Sequence, residues 1–266
     1  MRMRLAWATD IHLNFLDEPG RARFHEAIAA TSADVVLVGG DIGESRDVES
    51  LLVALADDLA RPVYFVLGNH DFYGGSIHEV RARMEVLSGR HRWLRWLPVS
   101  GIVPLTAETA LVGHDGWSDG RLGNYAKSTV MLNDYIRIAE LAWLSEEERL
   151  AKLNALGDEA AAHFAREVPP ALERFRRVVV LTHVPPFREA CWHQGKISSD
   201  DFLPHFSSKA SGLPLLAAAR AHADRELLVL CGHTHGEGEA QMLPNLLVRT
   251  GGAEYGAPRV TTIDVG

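Results

Sequence analysis

Two cysteines in 266 residues, Cys191 and Cys231, cannot build a disulfide framework or a structural zinc site of thiolates. Cys231 ends an apolar run, where a small buried thiol is the ordinary expectation, and the pair fits a reducing cytoplasm. No window holds the roughly 18 consecutive apolar residues of a membrane span, so no membrane partner is expected. Met1 to Asp10 carries two arginines but too short an apolar stretch for a signal peptide, and a cytoplasmic protein is predicted. Lysine is scarce beside arginine, and the net charge of −8 disfavours the extended basic surface behind most non-specific nucleic-acid affinity. Repeats, low-complexity tracts and interdomain linkers are missing, so residues 1–266 read as one domain. The hydrophobic content of 47% and charged content of 23% are those of a globular chain long enough to bury a substantial core.

What is present centres on Val63 to Asp71. There a β-branched and aromatic run stops at Gly68 and hands over to Asn69, His70 and Asp71. In α/β sheets ligands bind beyond the carboxyl ends of strands, so polar side chains delivered there point to chemistry. Four other predicted strands end the same way. Leu5–Thr9 runs into Asp10-Ile11-His12, whose alternation sends both polar side chains to one side of the backbone. Val35–Val38 runs into Gly39-Gly40-Asp41, Arg177–Leu181 into Thr182-His183, and Glu226–Cys231 into Gly232-His233-Thr234-His235. Helical spacing at 21–30 and 48–59 between the early strands predicts parallel pairing with right-handed crossovers. From Trp93 to Gly113 short strands follow one another without helices, which predicts a second layer or a sheet edge. A capping box at Ser145 and Glu148 opens an amphipathic helix inside an irregular stretch at about 117–168, read as a cap insertion over the site.

The strand ends collect imidazole, carboxylate and amide donors without thiolate. That mixture suits two borderline divalent ions, manganese, iron or zinc, with one carboxylate bridging. Such a pair activates a bridging water and clamps the oxygens of a displacement at phosphorus, so a binuclear metal-dependent phosphoric ester hydrolase is expected.

The ordered blocks Asp-x-His, Gly-Asp, Gly-Asn-His-Asp, Thr-His and Gly-His-x-His resemble the calcineurin-like metallophosphoesterase superfamily from Leu5 to Val265. The resemblance implies an α/β fold of two mixed β-sheets packed as a sandwich flanked by helices, a four-layer αββα arrangement. It also implies that Asp10, His12 and His235 hold one ion, that Asn69, His183 and His233 hold the other, and that Asp41 bridges them. By the same carry-over His70 contacts the phosphate and acts as general acid, and Asp71 orients its ring. The resemblance leaves out the cap and the loop 187–212. The substrate expected is a small organic phosphate or nucleotide, a phosphomonoester or phosphodiester, attacked by a metal-bridging hydroxide.

Rival readings remain: a nuclease, a Ser/Thr protein phosphatase, or a metal-free protein-binding scaffold on the same fold. His114 and Asp115 fit either a pocket wall or simple turn chemistry. Trp117, Tyr125, Trp192, His193 and Phe206 line an aromatic pocket or pack the cap onto the core. Ser207 and Ser208 before Lys209 contact a phosphate or open a helix, and Asp71 could instead cap the helix after Gly75. His25, His78, His91, His163, His205 and His222 read as ordinary surface or partly buried groups.

Overall fold

The computed structural model describes residues 2–266. In chain order the elements are β1 (Met3–Ala8), α1 (Glu18–Ala30), β2 (Val35–Gly39), α2 (Val48–Leu59), β3 (Val63–Val66), α3 (Ile77–Arg90), β4 (Leu94–Trp96), β5 (Val103–Pro104), β6 (Thr109–His114), α4 (Asp134–Arg137), α5 (Glu146–Arg174) and β7 (Arg177–Thr182). They continue with β8 (Trp192–His193), β9 (Lys196–Ile197), α6 (Leu203–Phe206), α7 (Lys209–Ala221), β10 (Glu226–Cys231), β11 (Gly238–Leu243), β12 (Leu246–Thr250) and β13 (Thr261–Val265).

Alternation along the strands decides the layers. In the first sheet, ordered β13-β1-β2-β3-β4, Leu5, Trp7, Val35 and Leu37 face the second sheet, whereas Ala6, Ala8, Val36 and Val38 face Phe24, Ile28, Leu52 and Leu55 of α1 and α2. The second sheet, ordered β11-β12-β10-β7-β6-β5, repeats the logic. Leu111, Val179, Leu181 and Leu230 meet the first sheet, and Val112, Val178, Val180 and Val229 meet Phe164 and Val168 of α5 and Leu215 of α7. Two mixed sheets therefore pack face to face with helices outside each, the α/β sandwich the sequence predicts.

Strands β1, β2, β3 and β4 are mutually parallel, as are β6, β7, β10 and β12. The carboxyl ends of β1, β2, β3, β7 and β10 converge at one edge of the sandwich, where hydrogen bonds join the loops. Asp10 N donates to Gly40 O (3.0 Å), His12 N to Asp41 O (2.9 Å), His183 N to Asp115 O (2.9 Å) and Gly232 N to His183 O (2.8 Å). Among the described residues no helix is long and apolar enough to cross a membrane.

The stretch at 117–168 divides between two duties. Helix α5 opens on the expected capping box at Ser145 and runs through Pro169 and Pro170 to Arg174, burying Ala160, Phe164, Val168, Ala171 and Leu172 against the second sheet. It is a layer of the sandwich, because its apolar stripe continues far past its first turns. From the remaining 117–145, Asp134 reaches the site edge and accepts from Asn69 Nδ2 at 2.8 Å. The loop 187–212 folds back as the β8–β9 hairpin and α6, and Trp192 packs where a Cβ on Gly236 or Gly238 would stand.

Candidate metal centre

Each strand stops at the site because its backbone turns sharply there. Among the described residues, nine other than glycine have positive φ, and five of these are Asp10, His12, Asp41, His233 and His235. Each such residue costs on the order of 1 kcal/mol, strain that concentrates at functional sites. Close approach demands glycine beside them. A Cβ on Gly68 would strike the Asp41 carboxylate and the His183 ring, and one on Gly232 would strike Asp10 and Thr9.

The donor atoms of Asp10, His12, Asp41 and His235 all lie within 4.8 Å of one another. The Nε2 atoms of His12 and His235 face each other at 3.2 Å, and His235 Nε2 is 3.5 Å from Asp10 Oδ1. Asp10 is fixed by Thr9 Oγ1 (2.6 Å) and by the His233 backbone N–H (3.0 Å). Burial drives the His12 pKa down to about 4, which keeps its ring neutral and able to donate a lone pair.

The second group gathers two imidazoles and an amide around one point. His183 Nδ1 is 2.8 Å from Gly39 O, and His233 Nε2 is 3.0 Å from the His205 carbonyl, so those nitrogens carry hydrogens and the other nitrogen of each ring turns inward. Asn69 Nδ2 donates to Asp134 Oδ1 (2.8 Å), which turns its carbonyl oxygen the other way. His183 Nε2 and His233 Nδ1 lie 3.2 and 3.0 Å from that oxygen. Burial opposes a charge on both rings, yet the carboxylates of Asp41 and Asp10 outweigh it at His183 and raise that pKa, so the site favours positive charge at this point; a metal ion supplies it and is a partner this oxygen and nitrogen donor set fits.

Asp41 stands between the groups. Its Oδ2 is 3.8 Å from His12 Nε2, and its Oδ1 is 3.5 Å from His183 Nε2 and accepts the His70 backbone N–H at 2.9 Å. Burial alone would raise its pKa, but the surrounding rings of His183, His70 and His12 outweigh that and hold it well below the ordinary carboxylate range. The His70 ring lies at the mouth, 18% exposed, with Nε2 3.9 Å from Asp41 Oδ2 and the Tyr73 ring behind it at 4.3 Å.

Asp71 has other partners than those foreseen. Its oxygens accept the backbone N–H groups of Ile42 (2.8 Å), Gly43 (2.9 Å) and Gly68 (2.8 Å), so it clamps the loop after β2 to the loop after β3. Both oxygens are thereby directed at amides, and the ring beside His70 is that of Tyr73. Burial and the charge of Asp41 raise the Asp71 pKa, while the three amides oppose the rise. The following helix, α3, is capped by Ser76. Asp115 is likewise a clamp: Oδ1 accepts from Leu67 N (2.8 Å) and Trp96 Nε1 (2.9 Å), and Oδ2 pairs with Arg81 (3.0 Å). His114 is buried on the wall of a separate 590 Å³ cavity with Arg81 and His163.

Of the aromatic candidates, Trp117 packs on Phe72 in the core, whereas Phe206 meets the His233 ring at 5.4 Å and His193 meets Phe206 at 5.5 Å. Ser208 caps α7, so Lys209 is that helix's first residue. The sequence reading missed a shell supplied by the covering segment. Asp134 accepts from both Asn69 and Tyr73 Oη (2.7 Å), and buried His205, read as an ordinary histidine, orients His233 through its carbonyl. Its ring is held by Tyr135 and Ser128. His25 and His163 are also buried. Nothing local marks Asp134, 65 residues from Asn69 in the chain.

Replacing Asp134 by Ala frees the Asn69 amide to rotate. Affinity for an ion at the Asn69, His183 and His233 group is expected to fall about 10- to 100-fold, the usual scale for a partner of a metal ligand. The Asn variant keeps an acceptor oxygen and retains most of it. Titration against a chromophoric chelator measures both, and equal affinity in wild type and Ala variant would remove the role.

No curated protein sequence matches the chain. Among solved structures, phosphopantetheinyl hydrolase from Mycobacterium tuberculosis aligns with TM-score 0.63 and 17% identity over 97% of this chain and 95% of its own. A dimetal phosphatase from Danio rerio aligns with TM-score 0.56 and 15% identity over 94% and 87%. A protein of Thermus thermophilus aligns with TM-score 0.52 and 17% identity over 98% and 99%. These likenesses show the fold. The calcineurin-like phosphoesterase family model matches residues 3–237, the span that carries every clustered donor, and the chain belongs to that family.

Proposed function

We propose that this protein is a binuclear metal-dependent hydrolase of phosphoric esters acting on a small phosphorylated molecule, a phosphomonoester or phosphodiester. The observation that carries the reading is Asp41, whose two oxygens face two separate donor groups, His12 with Asp10 and His235 on one side and His183 with Asn69 and His233 on the other. When bound there, two divalent ions, manganese, iron or zinc, supply Lewis acidity towards phosphoryl oxygens and lower the pKa of a coordinated water.

The chain's own residues do the rest. Gly39 O and His205 O fix which ring nitrogens of His183 and His233 face inward, and Asp134 fixes which way Asn69 points. His70, backed by Tyr73, holds a proton at Nε2 for the leaving-group oxygen. Segment 117–145 and the loop 187–212 reach the site through Asp134 and His205, which bond Asn69 and His233. The names of two neighbours, a phosphopantetheinyl hydrolase and a dimetal phosphatase, support the same chemistry.

The test is initial-rate hydrolysis of p-nitrophenyl phosphate and bis-p-nitrophenyl phosphate by metal-stripped protein resupplied with manganese, iron, zinc or magnesium. Metal-dependent turnover is expected, and the ratio of the two rates assigns monoester or diester. Protein that carries two ions yet hydrolyses neither ester would overturn the proposal.

A further inference from the structure

The mouth of the site carries two aromatic rings, Phe15 and Tyr255, that take no part in holding metal ions. Phe15 follows His12 by one turn of chain and is 56% exposed. Tyr255 belongs to the glycine-containing connection between β12 and β13 and is 50% exposed. The two rings meet at 5.0 Å, and Tyr255 lies 4.5 Å from the His12 ring, 5.0 Å from His235 and 6.3 Å from His70.

Core packing does not explain them, because each residue is half exposed, whereas Phe72 and Trp117 are buried in the core. An exposed pair of large rings beside a cluster of imidazoles and carboxylates forms an apolar wall against a polar floor. Such a wall gains most from a flat apolar face laid against it, as a planar heteroaromatic group offers, and gains little from a bare phosphate. Base–aromatic stacking contributes about 1–3 kcal/mol per base, an order of tenfold or more in affinity.

Resting on the phosphoesterase reading, we infer that Phe15 and Tyr255 select phosphoric esters bearing a planar heteroaromatic group near the scissile bond, the chemistry of a nucleotide. The polar floor takes the ester group. The two rings take the base, and they decide which esters are held in place long enough to react.

A pair of diesters sharing one leaving group isolates this contribution. Thymidine 5′-(p-nitrophenyl phosphate) and ethyl p-nitrophenyl phosphate both release p-nitrophenolate and differ in the base-bearing group. For the metal-loaded protein, kcat/KM for the thymidine ester is expected to exceed that for the ethyl ester about tenfold or more. Phe15→Leu and Tyr255→Leu should each move that ratio towards one, chiefly through KM, and Tyr255→Phe should preserve it because the ring remains. Calorimetric affinity for thymidine 5′-monophosphate over ethyl phosphate should follow the same order. A wild-type ratio near one, or a ratio unmoved by both Leu variants, overturns the inference while leaving the phosphoesterase reading intact. Protein carrying two ions that hydrolyses neither these diesters nor p-nitrophenyl phosphate removes that reading and the inference with it, and where only the monoester is hydrolysed, equal calorimetric affinity for thymidine 5′-monophosphate and ethyl phosphate overturns the inference alone.

Discussion

Asp41→Asn is expected to lower metal content from two ions per chain to one or fewer and to cut kcat/KM for any hydrolysed ester on the order of a thousand-fold or more. The carboxamide keeps the shape and retains one oxygen to accept the His70 backbone N–H. It cannot keep the charge that several imidazoles share. Asp41 Oδ1 faces His183, and Oδ2 faces both His12 and His70, so a neutral amide turns an N–H towards one of these groups whichever way it rotates. Both donor groups then lose their common anion. The fold should survive, because the clamps at Asp71 and Asp115 and the three apolar clusters lie outside this change. Metal analysis, circular dichroism and steady-state rates on one preparation decide the matter. Two bound ions with wild-type turnover would refute the bridging role.

That prediction was legible in the amino-acid sequence, and the reason is local. A run such as Val35–Val38 followed by two glycines and Asp41 defines its own end, so the position of the carboxylate needs no knowledge of the rest of the chain. The same holds for His183 after β7 and for His233 and His235 after β10. Side-chain partners are another matter. For Asp71 the sequence suggests a contact with the His70 ring, whereas the folded loops bring the amides of Ile42, Gly43 and Gly68 around it. Asp134, His205 and Tyr255 act from segments without strand or helix periodicity, so nothing in their neighbourhood marks them. The start of α1 at Glu18 rather than Arg21 has a simpler cause. Asp17 accepts the Gly20 amide and caps the helix, with Pro19 in its first turn.

His70→Ala should leave both ions in place, because neither donor group depends on its ring and its backbone N–H to Asp41 is kept. Its effect should appear in the proton bookkeeping of the leaving group. An alkoxide expelled from phosphorus needs a proton as the bond breaks, whereas p-nitrophenolate is stable without one. The His70 ring is positioned for the first case: it sits at the mouth with Nε2 directed towards Asp41 Oδ2 at 3.9 Å, and Tyr73 behind it limits its rotation. Removal of a positioned general acid lowers rates about 10²- to 10⁴-fold where the proton matters. The loss is therefore expected in that range for an alkyl ester and at about tenfold or less for the p-nitrophenyl ester of the same class. Paired measurement of kcat/KM on the two esters, with metal content determined alongside, separates this role from simple phosphate binding. A contact that only holds the phosphate would weaken both substrates alike, since both present the same phosphoryl oxygens, and equal losses would assign His70 to binding rather than proton transfer.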